Sequence, residues 1–162
     1  MSTAFAKVLL WLFVIDLGIA FGAGLYEHRV VLSRWIRKSP DSAHHWNPDA
    51  ARQDDTGRRF WVFVTTVPLT LLTLGTLIAA WWAPVSVRGW WTGASVAALA
   101  DRVFTFSYFI PTMVRLMGAG ESSESAATAM QWANLNKARL AILLVAWLAA
   151  LKAFSSVCQQ HG

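Results

Sequence analysis

The chain carries one cysteine, Cys158, so no internal disulfide can staple it. Its four histidines all lie outside the apolar runs, which argues against a haem held between helices. No Glu-x-x-His pair occurs, arguing against a ferritin-like di-metal centre, and His44-His45 has no second spaced pair to complete a metal site. Phosphate loops, nucleophile elbows and flavin or nicotinamide fingerprints are also missing, so no metal and no cofactor is expected. Charge is scarce too: Asp, Glu, Lys and Arg make up 14% of the chain. The pI near 10.0 would suggest nucleic acid in a soluble protein. Here the positive charge collects in one connecting segment, which membrane topology explains better, and no nucleic-acid partner is expected.

What is present is apolar. Of 162 residues, 56% are hydrophobic, ten are Trp, and the mean hydropathy is +0.42. That is too apolar for an ordinary soluble domain of this length. Residues 60–83 are free of charge and, at about 1.5 Å per residue, easily cross a ~30 Å hydrocarbon layer. The runs 8–26, 90–114 and 140–158 are interrupted only by Asp16, by Asp101-Arg102 and by Lys152. The reading is an all-α, integral membrane antiparallel four-helix bundle: one domain over 1–162, with spans at about 6–26, 60–83, 90–114 and 137–157. The first run is read as retained, because its Asp16 and its repeated small residues do not suit a cleaved signal peptide. Nine Lys and Arg lie in the loop 27–59 and the third connection, against three (Lys7, Arg88, Lys152) on the opposite side. The positive-inside rule then makes the long basic loop cytoplasmic and puts both termini outside, in what is expected to be a bacterial inner membrane. Trp81, Trp82, Trp90 and Trp91 are expected as anchors at one interface, and Trp35, Trp46, Trp61 and Trp132 at the other. Pro68 predicts a kink in the second helix, and Pro111 a kink or an end in the third. A last helix is expected from about Ser123.

Charges in the middle of such runs are costly and should face the bundle interior. Neighbours on a helix point about 100° apart, so Asp101 and Arg102 are expected not to pair; Arg102 is instead expected to reach Asp16 across the first and third helices. Arg139 shares a stripe with Trp132 and Asn136 and is expected to balance Asp101 or Glu27. Asp101, Thr105, Tyr108 and Thr112 form one polar line leading to the end where Tyr26, Glu27, His28, Arg58 and Arg59 gather. The line suggests the wall of a cavity rimmed by Phe104, Phe106 and Phe109, suited to a flat aromatic ligand. Each feature has a plainer reading. Buried ion pairs can simply fix helix register, Glu27-His28 can be a solvated helix end, and the third-helix aromatics can be packing.

Trp132-x-x-Leu135-Asn136-x-x-Arg139 opens a terminal hydrophobic helix, a Gly-rich first helix ends in Leu25-Tyr26-Glu27, and the third helix holds Arg102 and Tyr108-Phe109-Ile110-Pro111. In these residues the chain resembles the four-helix membrane proteins of the DUF1772, or anthrone oxygenase-like, family. The resemblance implies oxidation of an anthrone to an anthraquinone by molecular oxygen, without flavin or metal, and so a small hydrophobic aromatic partner. It carries over no catalytic residues. The chemistry asks for a base, for which Glu27 and His28 are the candidates. It also asks for a cation to hold an oxyanion, for which Arg139 is the candidate, with Asn136 and Tyr108 as donors and Trp132 and Phe109 against the ligand. Asp16, Arg102 and Asp101 are assigned to structural ion pairs. Two other readings stay open. One is a pocket that binds lipid or quinone without turnover. The other is a subunit, homo-oligomeric or not, whose Gly18-x-x-x-Gly22 stripe packs against other membrane helices.

Overall fold

A computed structural model describes residues 3–38 and 44–159. The described chain is almost entirely helical. Helix α1 runs as an α-helix over Thr3–Tyr26, widens into a π-helical turn at Glu27–Val31 and ends with Leu32–Trp35. A short hairpin follows, β1 (Ile36–Lys38) paired antiparallel with β2 (His44–Trp46), with Ile36 opposite Trp46. Residues 39–43 of the expected basic loop lie outside the described residues. Helix α2 (Pro48–Asp54) begins on Asn47, whose side chain accepts from the Ala50 N–H at 3.0 Å, with Pro48 in the first turn where its missing N–H costs nothing. Helix α3 is π-helical over Gly57–Thr66 and α-helical over Val67–Ala80; α4 comprises Val85–Phe104, a π-helical Thr105–Phe109 and Ile110–Gly118; α5 is one α-helix, Ser123–Gln159.

Two of the π-helical stretches run up to a proline. Proline lacks an N–H, and its ring collides with the carbonyl four residues back. In the wide turn the Val67 N–H donates to the Val62 carbonyl, and the Ile110 N–H to the Thr105 carbonyl, five residues back in each case. Pro68 and Pro111 then fall in the first turn of the α-helical stretch that follows. Pro111 therefore does not end its helix, which continues to Gly118.

Two apolar layers hold the molecule. The larger one joins α1, α3, α4 and α5 through Leu10, Phe13, Leu17, Leu69, Trp91 and Leu143. Helices α4 and α5 pack against each other, and each adds alanines to this layer, Ala94 and Ala98 from one and Ala146 and Ala150 from the other, small side chains that let backbones approach. The second layer is built from Val31, Trp35, Trp46, Ala51, Leu116 and Trp132. It turns the segment expected as a polar loop into a folded cap. Trp35 and Trp46 are each only 1% exposed; their indole N–H groups donate to Asp54 Oδ2 at 2.8 Å and to the Leu116 carbonyl at 3.1 Å. With Trp132, also buried, they are core residues rather than interfacial anchors. On the other side Trp81, Trp82 and Trp90 are exposed as expected, but Trp91 is buried.

Among the described residues three helices are long and apolar enough to cross a membrane, Ala4–Trp35, Gly57–Ala80 and Ser123–Gln159. The exterior is apolar, with Leu12, Ile15, Phe63, Leu71, Ile78 and Val145 exposed, while Asp16, Thr73, Asp101, Arg102, Asn136 and Arg139 are buried. Polar residues inside and apolar residues outside mark a protein solvated by lipid.

Candidate functional site

A cavity of about 540 Å³ lies where the four-helix core meets the cap, and all three π-helical stretches contribute to its wall. Glu27 opens the π-helical turn of α1; Trp61, Thr65 and Thr66 come from that of α3; Thr105 and Phe109 come from that of α4. A π-helical turn places one more residue per turn than the backbone otherwise would, and such turns recur at functional sites. Here three neighbouring helices bulge at one level. The uninterrupted α5 supplies Trp132, Arg139 and Leu143.

Glu27 is buried, and its Oε1 accepts from Trp61 Nε1 at 2.7 Å and from Thr56 Oγ1 at 2.9 Å. Thr56 is placed there by the turn between α2 and α3, where Asp55 takes the left-handed conformation, φ 40°, that Asp tolerates better than most residues. Both donors fall on one oxygen, and Oε2 makes no hydrogen bond among the described residues.

Arg139 is buried, with its guanidinium carbon 4.9 Å from the centre of the Phe109 ring and 5.8 Å from that of Trp61. Its Nε stands 3.9 Å from Asp101 Oδ1, too far for a hydrogen bond, and its terminal nitrogens make none among the described residues. Arg139 and Glu27 therefore line one cavity with donors and an acceptor to spare. Phe109 is held from behind by Trp132, whose indole N–H donates to the Phe109 carbonyl at 3.1 Å.

The ion pairing differs from that expected. Arg102 bonds its own neighbour, with Nε donating to Asp101 Oδ2 at 2.9 Å and Nη2 donating to the same oxygen. Adjacent Cα–Cβ bonds do diverge, but the long Arg stem folds back far enough to close the pair. Asp16 is buried and neither of its carboxylate oxygens has a hydrogen-bond partner among the described residues, so the expected Asp16–Arg102 bridge is not formed. Arg139 does approach Asp101, as expected.

The other candidates divide. Trp132 and Phe109 line the cavity; Asn136, Tyr108 and His28 do not. Asn136 is wholly buried, with both amide atoms unpartnered among the described residues. Tyr108 stacks on Phe104 at 6.1 Å, outside the cavity, and Phe106, expected on its rim, is exposed on the outer face of α4. The reason is the π-helical turn, which carries Phe109 rather than Tyr108 to the inward position. Thr56 and Trp61 were not legible as partners of Glu27. The available signal was the carboxylate itself, since a buried Glu needs donors.

Gly18 meets Trp147, and Gly24 meets Leu140, both of the same chain; of the expected small-residue stripe only Gly22 has open space beside it. No family model, curated protein or solved structure matches the chain.

Proposed function

We propose that this is a membrane oxidoreductase that binds a flat, weakly acidic aromatic molecule, anthrone-like or quinol-like, in the cavity between core and cap and oxidises it with molecular oxygen. The observation that supports this reading is the meeting of Glu27 and Arg139 in one cavity walled by Trp35, Trp61, Phe109 and Trp132. Its volume of about 540 Å³ is in the range of small-molecule sites. Glu27 Oε2 is free to take a proton, and Arg139 offers an unengaged fork to the oxygen on which the resulting negative charge settles. For an anthrone, the ring methylene gives its proton to Glu27. The delocalised anion passes one electron to dioxygen, and the radical pair closes a carbon–oxygen bond as a peroxide. Loss of water leaves the second carbonyl: one anthrone and one dioxygen yield one anthraquinone and one water. The resemblance to the anthrone oxygenase-like family supports the same chemistry.

The reading includes four membrane crossings, the basic cap on the cytoplasmic side and a bacterial inner membrane. The cap and the helix ends around it hold most of the Lys and Arg, which supports that orientation. The fourth crossing is α4, whose exposed face is apolar through Val96, Val103, Phe106, Ile110 and Val114 while its charged pair points inward. The glycines engaged by α5 weaken the subunit reading.

Purified protein in lipid nanodiscs, given anthrone and oxygen, is expected to form anthraquinone faster than protein-free nanodiscs. Glu27→Gln and Arg139→Lys should each lower kcat by about a hundredfold, typical of a lost general base or oxyanion donor. Lysine keeps the charge and loses the fork, so wild-type turnover in Arg139→Lys removes Arg139 from the mechanism. Saturable binding of anthrone with no product would leave a carrier of aromatic ligands.

A further inference from the structure

The wall of the cavity is not uniform. Near the Trp81–Trp82 turn α3 and α4 pack directly on each other, Val67–Ala80 against Val85–Phe104. Nearer the cap both helices line the cavity, α3 with Val62 and Thr66 of its π-helical stretch and α4 with Ile110, Met113 and Val114 just beyond its own. Three of these wall residues also belong to the apolar exterior: Val62, Ile110 and Val114 are exposed, Val114 by 65%. They continue the belt formed by Val67 and Leu71 on α3 and by Val103 and Phe106 on α4. The wall supplied by the cap helix and the turn after it is different in kind, with Arg52, Asp55, Thr56 and Arg58. The space therefore grades from hydrocarbon-facing at the gap between α3 and α4 to charged beneath the cap.

Resting on the reading above that the cavity holds a ligand, we infer that this ligand is an amphiphile dissolved in the bilayer, which reaches the site laterally between α3 and α4. Its polar aromatic head lies against Arg139 and its apolar tail remains in the gap at Val62, Ile110 and Val114. The physical reason is desolvation. A molecule passing an apolar mouth from the bilayer leaves hydrocarbon for hydrocarbon and releases no water-ordered surface on the way, whereas one arriving from the cytosol must pass the charged rim. A tail left in lipid also lowers the ordering cost of binding, because the head is already confined to the plane of the membrane.

The test uses two photoreactive ketones on protein reconstituted in phosphatidylcholine vesicles: hexadecyloxybenzophenone, which the bilayer retains, and benzophenone-4-carboxylate, which dissolves in water. Irradiation and peptide mass spectrometry are expected to place the tethered probe on residues 62–66 and 110–114. Val114→Trp, or Ile110→Trp should the first variant fold poorly, fills the gap and lowers tethered-probe labelling about tenfold more than soluble-probe labelling, equivalent to about 1.4 kcal/mol of lost affinity. Leu71→Trp, on the same face of α3 but away from the cavity, changes neither. If the soluble probe labels the cavity and the tethered one does not, or if Trp at both mouth positions leaves tethered labelling intact, lateral access is overturned and the ligand reading stands. If neither probe labels the cavity, both fall.

Discussion

At the scale of single residues, the interior shows two carboxylates of opposite standing. Asp101 is bonded to Arg102 and is the carboxylate nearest Arg139 Nε, so one carboxylate answers two buried guanidinium groups. Asp16 is buried with no hydrogen-bond partner among the described residues. Removing the negative charge at Asp101 strands two cations in a poorly solvating interior, and breaking a buried pair from one side typically costs ~3–5 kcal/mol. Asp101→Asn is therefore expected to lower the unfolding temperature in detergent sharply. Asp16→Asn removes no hydrogen bond and is expected to change stability by less than about 1 kcal/mol in either direction. Equal losses in the two variants would mean that Asp16 has the greater structural role, as an Asp16–Arg102 bridge requires. The sequence points to buried charge at both sites, because a carboxylate within an apolar run has few places to go. It does not say which partner each would find. Spacing describes where a Cα–Cβ bond points, whereas pairing depends on where the end of a long, flexible Arg side chain arrives.

At the scale of elements, the limit of legibility was the π-helical turn. Four apolar runs, the start of the last helix near Ser123, and the inward placement of Asp101, Arg102 and Arg139 could all be read from period and charge. The register of α4 beyond Thr105 could not, because a regular 3.6-residue period carries Tyr108 inward whereas the extra residue of the wide turn carries Phe109 there. Both prolines were visible; how the backbone takes up a proline was not. The cap was hidden for a related reason: its core is a few residues, Trp35, Trp46 and Ala51, scattered through a stretch rich in charge. A sharp test is to delete Ser107, an exposed residue in the π-helical turn of α4. Losing one residue converts the turn to an ordinary α-helical one and keeps the faces on either side in register. Helicity by circular dichroism and elution as a single folded species are expected to persist. Binding of anthrone, followed by quenching of tryptophan fluorescence, is expected to be lost as the bulge beside the cavity disappears. Retained binding would mean that the wide turn serves only to accommodate Pro111.

At the scale of the whole molecule, the helices are longer than a membrane requires. The 37 residues of α5 extend about 55 Å, against a hydrocarbon thickness of ~30 Å. The surplus of α5 lies beside the cap, and on the four-crossing reading proposed above the cavity sits near one membrane surface, within reach of both lipid and the basic segment. This arrangement depends on α4 crossing the bilayer, although by length and composition it does not stand among the three helices that qualify. What supports its crossing is the sidedness of its surface, a property of the folded helix that an average over its residues erases. Cysteine labelling with a membrane-impermeant maleimide decides the matter. Cys158 is exposed and is the only native thiol, so a Cys158→Ser background with single cysteines at Ser86 or Glu121 gives two positions to compare with Cys158 of the native chain. Four crossings put Cys158 and position 86 on the same side and position 121 on the other. If α4 lay outside the bilayer, position 86 would share its side with position 121, and Cys158 would lie opposite both. Orientation follows from the same labelling: with the basic cap in the cytoplasm, intact cells should label Cys158 and position 86, and position 121 only after lysis. Labelling of position 121 in intact cells, with Cys158 protected, would instead place the cap and its cavity outside.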